Sequence, residues 1–455
     1  MFTLEQVANI CGGKLISERP LARVRSVVID SRSVQAGDLF AALRGEHRDG
    51  HEFAREAIDK GAHGVLAARE LSGLQDTVVV PDVLKAVQEL ARFHRSRFSI
   101  PTVAVTGSVG KTTTKECIGR LLAQSLRTCV GYGNWNNHIG VPLNLFKIKS
   151  SDECLVLELG ANHLGEIAFL AELTQPTIGV ITQISPAHLE GFGSTDGVYE
   201  AKLELAEEVF GRGGTMVANG DDPVLARKLS VFSGSVVTFG TRRGCDFVLS
   251  GLETEKGWIQ FLVNDRVTFR LKGHGAFNAM NALAAIATAS LFRYDLHEMS
   301  RWWHEMPVLE GRFFCEHWPE RDLFIVNDSY NANPASFEHS LAAFRNLAGK
   351  RRALVVAGDM LELGDRAVHY HEALGEWLAK SGIEVVISVG DLCQHAEKSF
   401  RRLRPAGRWF SVKDSLSAAE CLEKYAKDGD AILIKGSHAF DLTRATTRVA
   451  PTPFC

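Results

Sequence analysis

Residues 103–116 read VAVTGSVGKTTTKE. An apolar run enters a turn built on Gly107 and Gly110, and Lys111, Thr112 and Thr113 then open a helical pattern. Glycines let backbone N–H groups turn toward an anion, and the start of a helix adds partial positive charge. In such a loop Gly107, Ser108, Val109 and Gly110 wrap phosphate, Lys111 meets the outer phosphates, and the Thr112 hydroxyl offers an oxygen to Mg²⁺. The loop is shorter than the common G-x-x-x-x-G-K-[ST], because Val105 stands where that pattern has glycine. A bare strand-to-helix turn is the plain alternative. The Lys-Thr-Thr that follows favours a nucleotide.

Two further strand ends carry candidate ligands. LVLELG (155–160) sets Glu158 among apolar neighbours, where a carboxylate suits a divalent cation. ITQISPAHLEGFGS (181–194) sets His188 just past another apolar run. Lys202, in VYEAKLELAEE, reads on its own as a solvated lysine paired with glutamates at helical spacing.

These residues need strands and helices to hold them. TVAVTG, LVLELG, IGVITQI (178–184) and TMVANG (215–220) read as buried strands. Helical patterns at 111–124 and 198–210 fall between them, which predicts parallel β-structure with crossover helices. Residues 245–272 alternate instead, with turn signals at Lys256-Gly257 and Asn264-Asp265, and predict a small antiparallel hairpin insertion. An Ala-rich helix follows at 276–292, carrying Asn278 and Asn281. A further α/β rhythm begins near 310, with LFIVND, RALVVAGDM, IEVVISVG and AILIKGS as strands. Before all of this, strands at 24–29 and 38–43 and a short helix at 53–60 suggest a small leading unit. The expected class is α/β in three domains, with boundaries at 1–98, 99–309 and 310–455.

Composition narrows the field. The chain has 455 residues, 45% hydrophobic and 23% charged, which is ordinary globular usage. Its net charge of −3 argues against a bulk nucleic-acid binder. No apolar run reaches the ~18 residues of a membrane span, and MFTLEQVANICGGKL has no signal-peptide character. A cytoplasmic protein with no membrane insertion is expected. The nine cysteines form no C-x-x-C pair, so reduced thiols are expected rather than a metal or redox centre.

The shortened loop T-G-x-x-G-K-T resembles that of the Mur ligase family, which includes the folylpolyglutamate synthases. The resemblance runs along nearly the whole chain. It implies coupling of ATP hydrolysis to amide formation, with two Mg²⁺ ions and no organic cofactor. Ala201-Lys202-Leu203-Glu204 resembles the segment that carries a carbamylated lysine. Thr112 and Glu158 are then implied ligands of one ion, and His188 and carbamylated Lys202 of the other. Lys111, Glu158, His188 and Lys202 become the implied catalytic set. Asn278 and Asn281, Arg312 in EGRFF, and Asp328, Tyr330 and Asn331 in NDSYNANPAS are implied ATP contacts. Ser31, Arg32, Gly45 and His51 fall in a stretch resembling the family's UDP-binding domain. Asn137, Asn333, Asp359 and Lys435 are further implied substrate contacts, with Asp359 and Glu362 suited to an ammonium group and Lys435 to a carboxylate.

The resemblance implies a small N-terminal UDP-binding domain, a central P-loop ATPase-like domain and a C-terminal Rossmann-like domain. NDSYNANPAS, GDMLELG, AHLEGFGS and KGS point to the branch that adds D-alanyl-D-alanine to UDP-N-acetylmuramoyl-tripeptide, acting as a monomer. Asn331-Ala332-Asn333-Pro334 differs from the D-N-P-R of the diaminopimelate- or lysine-adding branch. Another Mur-type or folate enzyme is the alternative within the class, and a nucleotide-regulated binding protein the alternative outside it.

Overall fold

The computed structural model describes residues 1–45, 47–255 and 257–446. Lys256 of the expected turn and residues 447–455, with Cys455, lie outside the described residues. Among those described, three large sheets follow one another along the chain.

The leading sheet has five strands, in the order Lys14–Ile16, Thr77–Val79, Gly64–Ala67, Leu39–Ala41, Val27–Val28. All its pairings are parallel except the first. The single strand expected at 24–29 is two short ones. Arg23–Val24 pairs antiparallel with Phe2–Thr3, and Val27–Val28 joins the five-stranded sheet. Polar Arg25 and Ser26 fall between them.

The central sheet has nine strands. From Thr128–Val130 the order runs through Cys154–Glu158, Thr102–Thr106, Ile178–Ile181, Thr215–Asn219 and Ser235–Gly240 to Phe247–Glu255, all parallel. Trp258–Val263 and Val267–Lys272 then add antiparallel. The expected antiparallel hairpin insertion is present and extends the main sheet, because Phe247 and Val248 pair with Phe239 and Gly240. Asn264 and Asp265 do turn the chain, both at positive φ (54° and 52°).

The third sheet has six strands: Phe314–Trp318, Leu323–Asn327, Ala431–Lys435, Ala353–Gly358, Val385–Val389 and Arg408–Val412. The first is antiparallel and the rest parallel. The two outermost strands here, like Ser235–Gly240 and Thr128–Val130 in the central sheet, carry polar or half-exposed residues and escape an apolar-run reading.

Strand Thr102–Thr106 is buried on both faces, as a central parallel strand must be. Ala104 faces one core, and Val103 and Val105 the other. In the second core, Cys117, Ile118, Leu121 and Leu122 of the helix Lys111–Leu122 meet Ala279, Ala282, Leu283 and Ile286 of the helix Phe277–Ser290. The alanines bring the two axes close, so the asparagines at the start of the second helix reach the glycine loop. Leu283 is fully buried. Leu283→Ala should cost about 2–5 kcal/mol, read as an earlier urea transition of the central region.

Candidate active site

The loop between Thr106 and Lys111 is rigid before any ligand arrives. Gly107 and Gly110 hold φ of 142° and 89°, and a side chain at Gly110 would collide with Asn281. Gln183 O accepts from Ser108 N at 2.7 Å and from Val109 N at 3.3 Å, and Thr182 Oγ1 donates to Val109 O at 2.7 Å. Those two amides are engaged by the neighbouring strand end. The anion-binding capacity therefore sits at the helix start, where Gly110 provides no side-chain cap. Lys111 Nζ folds back on Gly107 O (2.8 Å) and Ser108 O (3.4 Å). Burial pushes its ammonium below the ordinary lysine value, Glu158 opposes that, and Arg312 adds to it. A phosphate would reverse the balance.

Glu158 is buried at the end of its strand. Thr112 Oγ1 donates to Oε2 at 2.6 Å, and Asn136 Nδ2 donates to Oε1 at 2.7 Å. A hydroxyl and a carboxylate side by side at a helix start are hard oxygen donors of the kind Mg²⁺ takes. Asn136 is a partner the sequence reading passed over in favour of its neighbour. Asn137 Oδ1 instead accepts from Ile139 N and Gly140 N, at 3.1 and 2.8 Å, at the start of the next helix.

Lys202 is not the solvated lysine of the bare reading: it is 2% exposed. Its Nζ lies 3.5 Å from Ala161 O and 5.3 Å from the Phe192 ring centre. Burial, with Lys111 nearby, pushes its pKa down to about 7. Its helical neighbour Glu204 turns away and accepts from Gly165 N (2.6 Å) and Ala168 N (2.9 Å), fixing the start of the helix Glu166–Thr174. His188 stands at φ 51°, directly before the short helix Leu189–Phe192. Its Nδ1 meets Glu362 Oε2 from the third region, and this bond holds the Glu362 carboxyl below its ordinary value.

These groups line one cavity of about 730 Å³. Gly107 to Lys111, Thr113, Asn137, Glu158, His188, Lys202, Asn278 and Asn281 reach it from the central region. Arg312, Asp328, Tyr330, Asn331, Asn333 and Lys435 reach it from the third. Thr112 touches it through Glu158. Asn281 Nδ2 donates to Asn278 Oδ1 at 2.9 Å, and Asn278 Nδ2 to His274 O at 2.8 Å. The Arg312 guanidinium lies 4.0 Å from the Tyr330 ring centre. The rings of Phe277 and His339, stacked at 6.5 Å, form an apolar end that no motif advertised.

Several expected contacts are occupied otherwise. Asp328 accepts from Phe313 N (2.9 Å), from Lys435 Nζ (2.5 Å) and from Ser340 Oγ. Lys435 is thus bound in a buried ion pair, with Asn331 O at 3.1 Å as well, rather than free for a carboxylate. Asn333 caps the helix Pro334–Ala348 through Ser336 N at 2.9 Å. Asn331 Oδ1 accepts from Ala332 N at 2.9 Å. Asp359 does not line the cavity: its carboxylate accepts from Leu392 N (3.0 Å) and Cys393 N (2.8 Å) at the start of the helix Cys393–Leu403.

Nor do Ser31, Arg32, Gly45 and His51 line it. Ser31 donates to Glu56 (3.1 Å), Arg32 pairs with Asp30 (2.8 Å), and Gly45 N donates to Arg48 O (2.9 Å). Ala68 N donates to His51 Nε2 at 2.9 Å, so Nδ1 carries the proton facing Asp49, 2.5 Å away.

An open helix start, a carboxylate beside it, a buried lysine and an arginine from a second α/β unit define a phosphoryl-handling enzyme with a P-loop-like core. The sequence comparisons refine this. The model described as "Mur ligase family, catalytic domain" matches residues 23–103, "Mur ligase middle domain" residues 105–289, and "Mur ligase, glutamate ligase domain" residues 311–438. The chain belongs to the Mur ligase family. It is 31% identical to the UDP-N-acetylmuramoyl-tripeptide–D-alanyl-D-alanine ligase of Bacillus subtilis (strain 168), covering 99% of both chains. The enzyme of the same name from Synechocystis is 35% identical, with 92% of this chain and 90% of that one covered. Among solved structures, MurF from Acinetobacter baumannii superimposes with a TM-score of 0.87 at 26% identity, covering 99% of each chain. MurF from Thermotoga maritima in complex with ADP gives 0.79 at 29%, covering 94% and 97%.

The Lys202 value has a consequence for stability. The ordinary lysine value is 10.5 and the folded one about 7. The folded state therefore binds fewer protons than the unfolded one between these limits, and this group makes stability rise with pH across that window. In CO₂-free buffer, Lys202→Met should be more stable than the parent at about pH 7 and lose that advantage by about pH 10. Urea unfolding at both pH values checks this, and a pH-independent gap would contradict it.

Proposed function

We propose that this chain joins the amino group of D-alanyl-D-alanine to the carboxylate of UDP-N-acetylmuramoyl-tripeptide, hydrolysing ATP to ADP and phosphate. It is an ATP-dependent carbon–nitrogen ligase. The carrying observation is that an uncapped phosphate-loop helix, Glu158 and Lys202 share one cavity with Arg312, in a chain similar end to end to ligases of that name.

The donor sets fit two Mg²⁺ ions. Thr112 and Glu158 would hold one. His188 and Lys202 would hold the other, because a lysine whose pKa is lowered to about 7 is partly uncharged near neutrality and can add CO₂ to become a carbamate oxygen donor. Bound there, the ions would neutralise charge between the triphosphate and the approaching carboxylate.

The chain's own groups account for the remaining roles. The free N–H groups at the helix start and Lys111 bind the outer phosphates, and the Phe277–His339 end suits a planar base. The tripeptide carboxylate attacks the γ-phosphorus, the bond to the β-phosphate oxygen breaks, and ADP leaves. Lys111 and Arg312 stabilise the charge on the transferring group. The amine then attacks the acyl phosphate carbonyl, the tetrahedral adduct expels phosphate, and the nitrogen loses a proton. Glu362, paired with His188, is the acid left to orient an ammonium, because Asp359 is spent on a helix start. The leading unit receives the UDP moiety, through residues such as Ser31 and Arg32 that stand clear of the cavity. No helix among the described residues is long and apolar enough to cross a membrane, and ATP-consuming chemistry on a UDP-linked substrate suits the cytoplasm.

Phosphate release from Mg-ATP with the UDP-tripeptide should require D-alanyl-D-alanine and fail with D-Glu or L-Lys. Release with L-Lys instead would move the enzyme to another step. Glu158→Ala should lower kcat at least about 100-fold. ¹³C-bicarbonate should give a carbamate resonance that Lys202→Arg lacks, and the same spectrum in both proteins would remove the carbamate from the mechanism.

A further inference from the structure

One buried charge takes no part in this mechanism. Lys115 lies one helical turn beyond Lys111 and is fully buried. Burying an ammonium is costly unless each of its hydrogens finds a partner. Nζ donates to Gly131 O at 2.6 Å and Gly133 O at 2.8 Å, and pairs with Glu116 Oε1 at 2.8 Å. All three hydrogens are spent, and two of them on one loop.

That loop connects the strand Thr128–Val130 to the helix Gly140–Leu145. Asn144 braces it, accepting from Tyr132 N and donating to Trp135 O, both at 2.9 Å. Two asparagines leave it in different directions. Asn134 Nδ2 donates to Tyr330 Oη in the third region, beneath the Arg312 guanidinium. Asn136 Nδ2 donates to Glu158 Oε1 at 2.7 Å, and its backbone oxygen accepts from Gly160 N at 2.8 Å. A displacement of the loop would therefore be felt at both places.

We propose that Lys115 is a positioning residue for the ligase reaction. It anchors the loop 131–136, which ties the seating of Tyr330 and Arg312 to the orientation of the Glu158 carboxylate. The inference rests on the reading of Glu158 as an Mg²⁺-holding group. The side-chain partners of Lys115 are Gly131, Gly133 and Glu116 rather than the phosphate loop, so its effect reaches the nucleotide through the loop 131–136.

Isothermal titration of ATP, with and without Mg²⁺, tests it on the full chain. Asn136→Ala, which leaves the Asn134–Tyr330 contact in place, should bind Mg-free ATP within about twofold of the parent, whereas Lys115→Met also releases Tyr330 and Arg312 and should bind it more weakly. Each should lose roughly 10-fold of the affinity gained on adding Mg²⁺, the range seen when a partner of a metal ligand is removed. The double variant should be no worse than the worse single one. In steady state kcat should fall while KM for the UDP-tripeptide holds. Asn134→Ala, a change at an exposed loop position, should move kcat in the same direction and be non-additive with Asn136→Ala. That pair decides the question if Lys115→Met does not fold. A full Mg²⁺ gain in Lys115→Met, or multiplicative losses in either double variant, would overturn the proposal. Should Glu158→Ala itself keep its Mg²⁺ gain, the reading of the site fails first.

Discussion

A buried carboxylate must find hydrogen-bond donors, and the way Glu158 finds them organises the centre of this protein. Its two oxygens take one donor from the helix after the phosphate loop and one from the loop 131–136. Strand, helix and loop are thereby fixed relative to one another at the edge of the cavity. The glycines before the helix have a related effect. They leave its first N–H groups uncapped, so a preformed anion site and a preformed oxygen site stand next to each other. On the proposed reading, a nucleotide and a cation arriving together would satisfy both sites at once.

The lysines at and behind the cavity are handled in three ways. Lys115 and Lys435 are neutralised by protein partners and have become structural. Lys111 is held by carbonyls alone and its ammonium is weakened by burial, so it favours an incoming anion. Lys202 has almost no partner and a pKa near 7, which makes it the group whose chemistry can change. Burial alone therefore does not separate structural from functional lysines; what Nζ touches does.

Much of this was legible in the chain. Apolar runs mark the central strands because parallel strands bury both faces, and the glycine loop with Lys111 and Thr112 carries its chemistry in its spacing. Glu158 announces itself as an acid in an apolar run. Lys202 does not, because its helix shows the same i±4 pattern whether it faces water or a cavity, and only the family resemblance singled it out. Asn136 and Lys115 were hidden for a similar reason: their partners are backbone carbonyls and a carboxylate more than fifteen residues away. Edge strands such as Arg408–Val412 were missed because one face meets solvent and the apolar run breaks.

The misplaced Asp359 shows a more general distinction. The helices starting near Pro334, Cys393 and Ser415 in the third region have their first amides taken by Asn333, Asp359 and Asp414. The helix at Lys111 has glycine before it and no such cap. A polar residue at or near a helix start consumes the partial charge that could bind an anion, while a glycine leaves it available. An acid at a strand end is then a ligand candidate where its donors are side chains, as for Glu158, and a cap where its donors are the first amides of a neighbouring helix, as for Asp359. Glu158 and Asp359 occupy equivalent places in their sheets and fall on opposite sides of this rule. On the proposed reading the central region takes the phosphates, and the third region contributes side chains such as Arg312, which lines the same cavity.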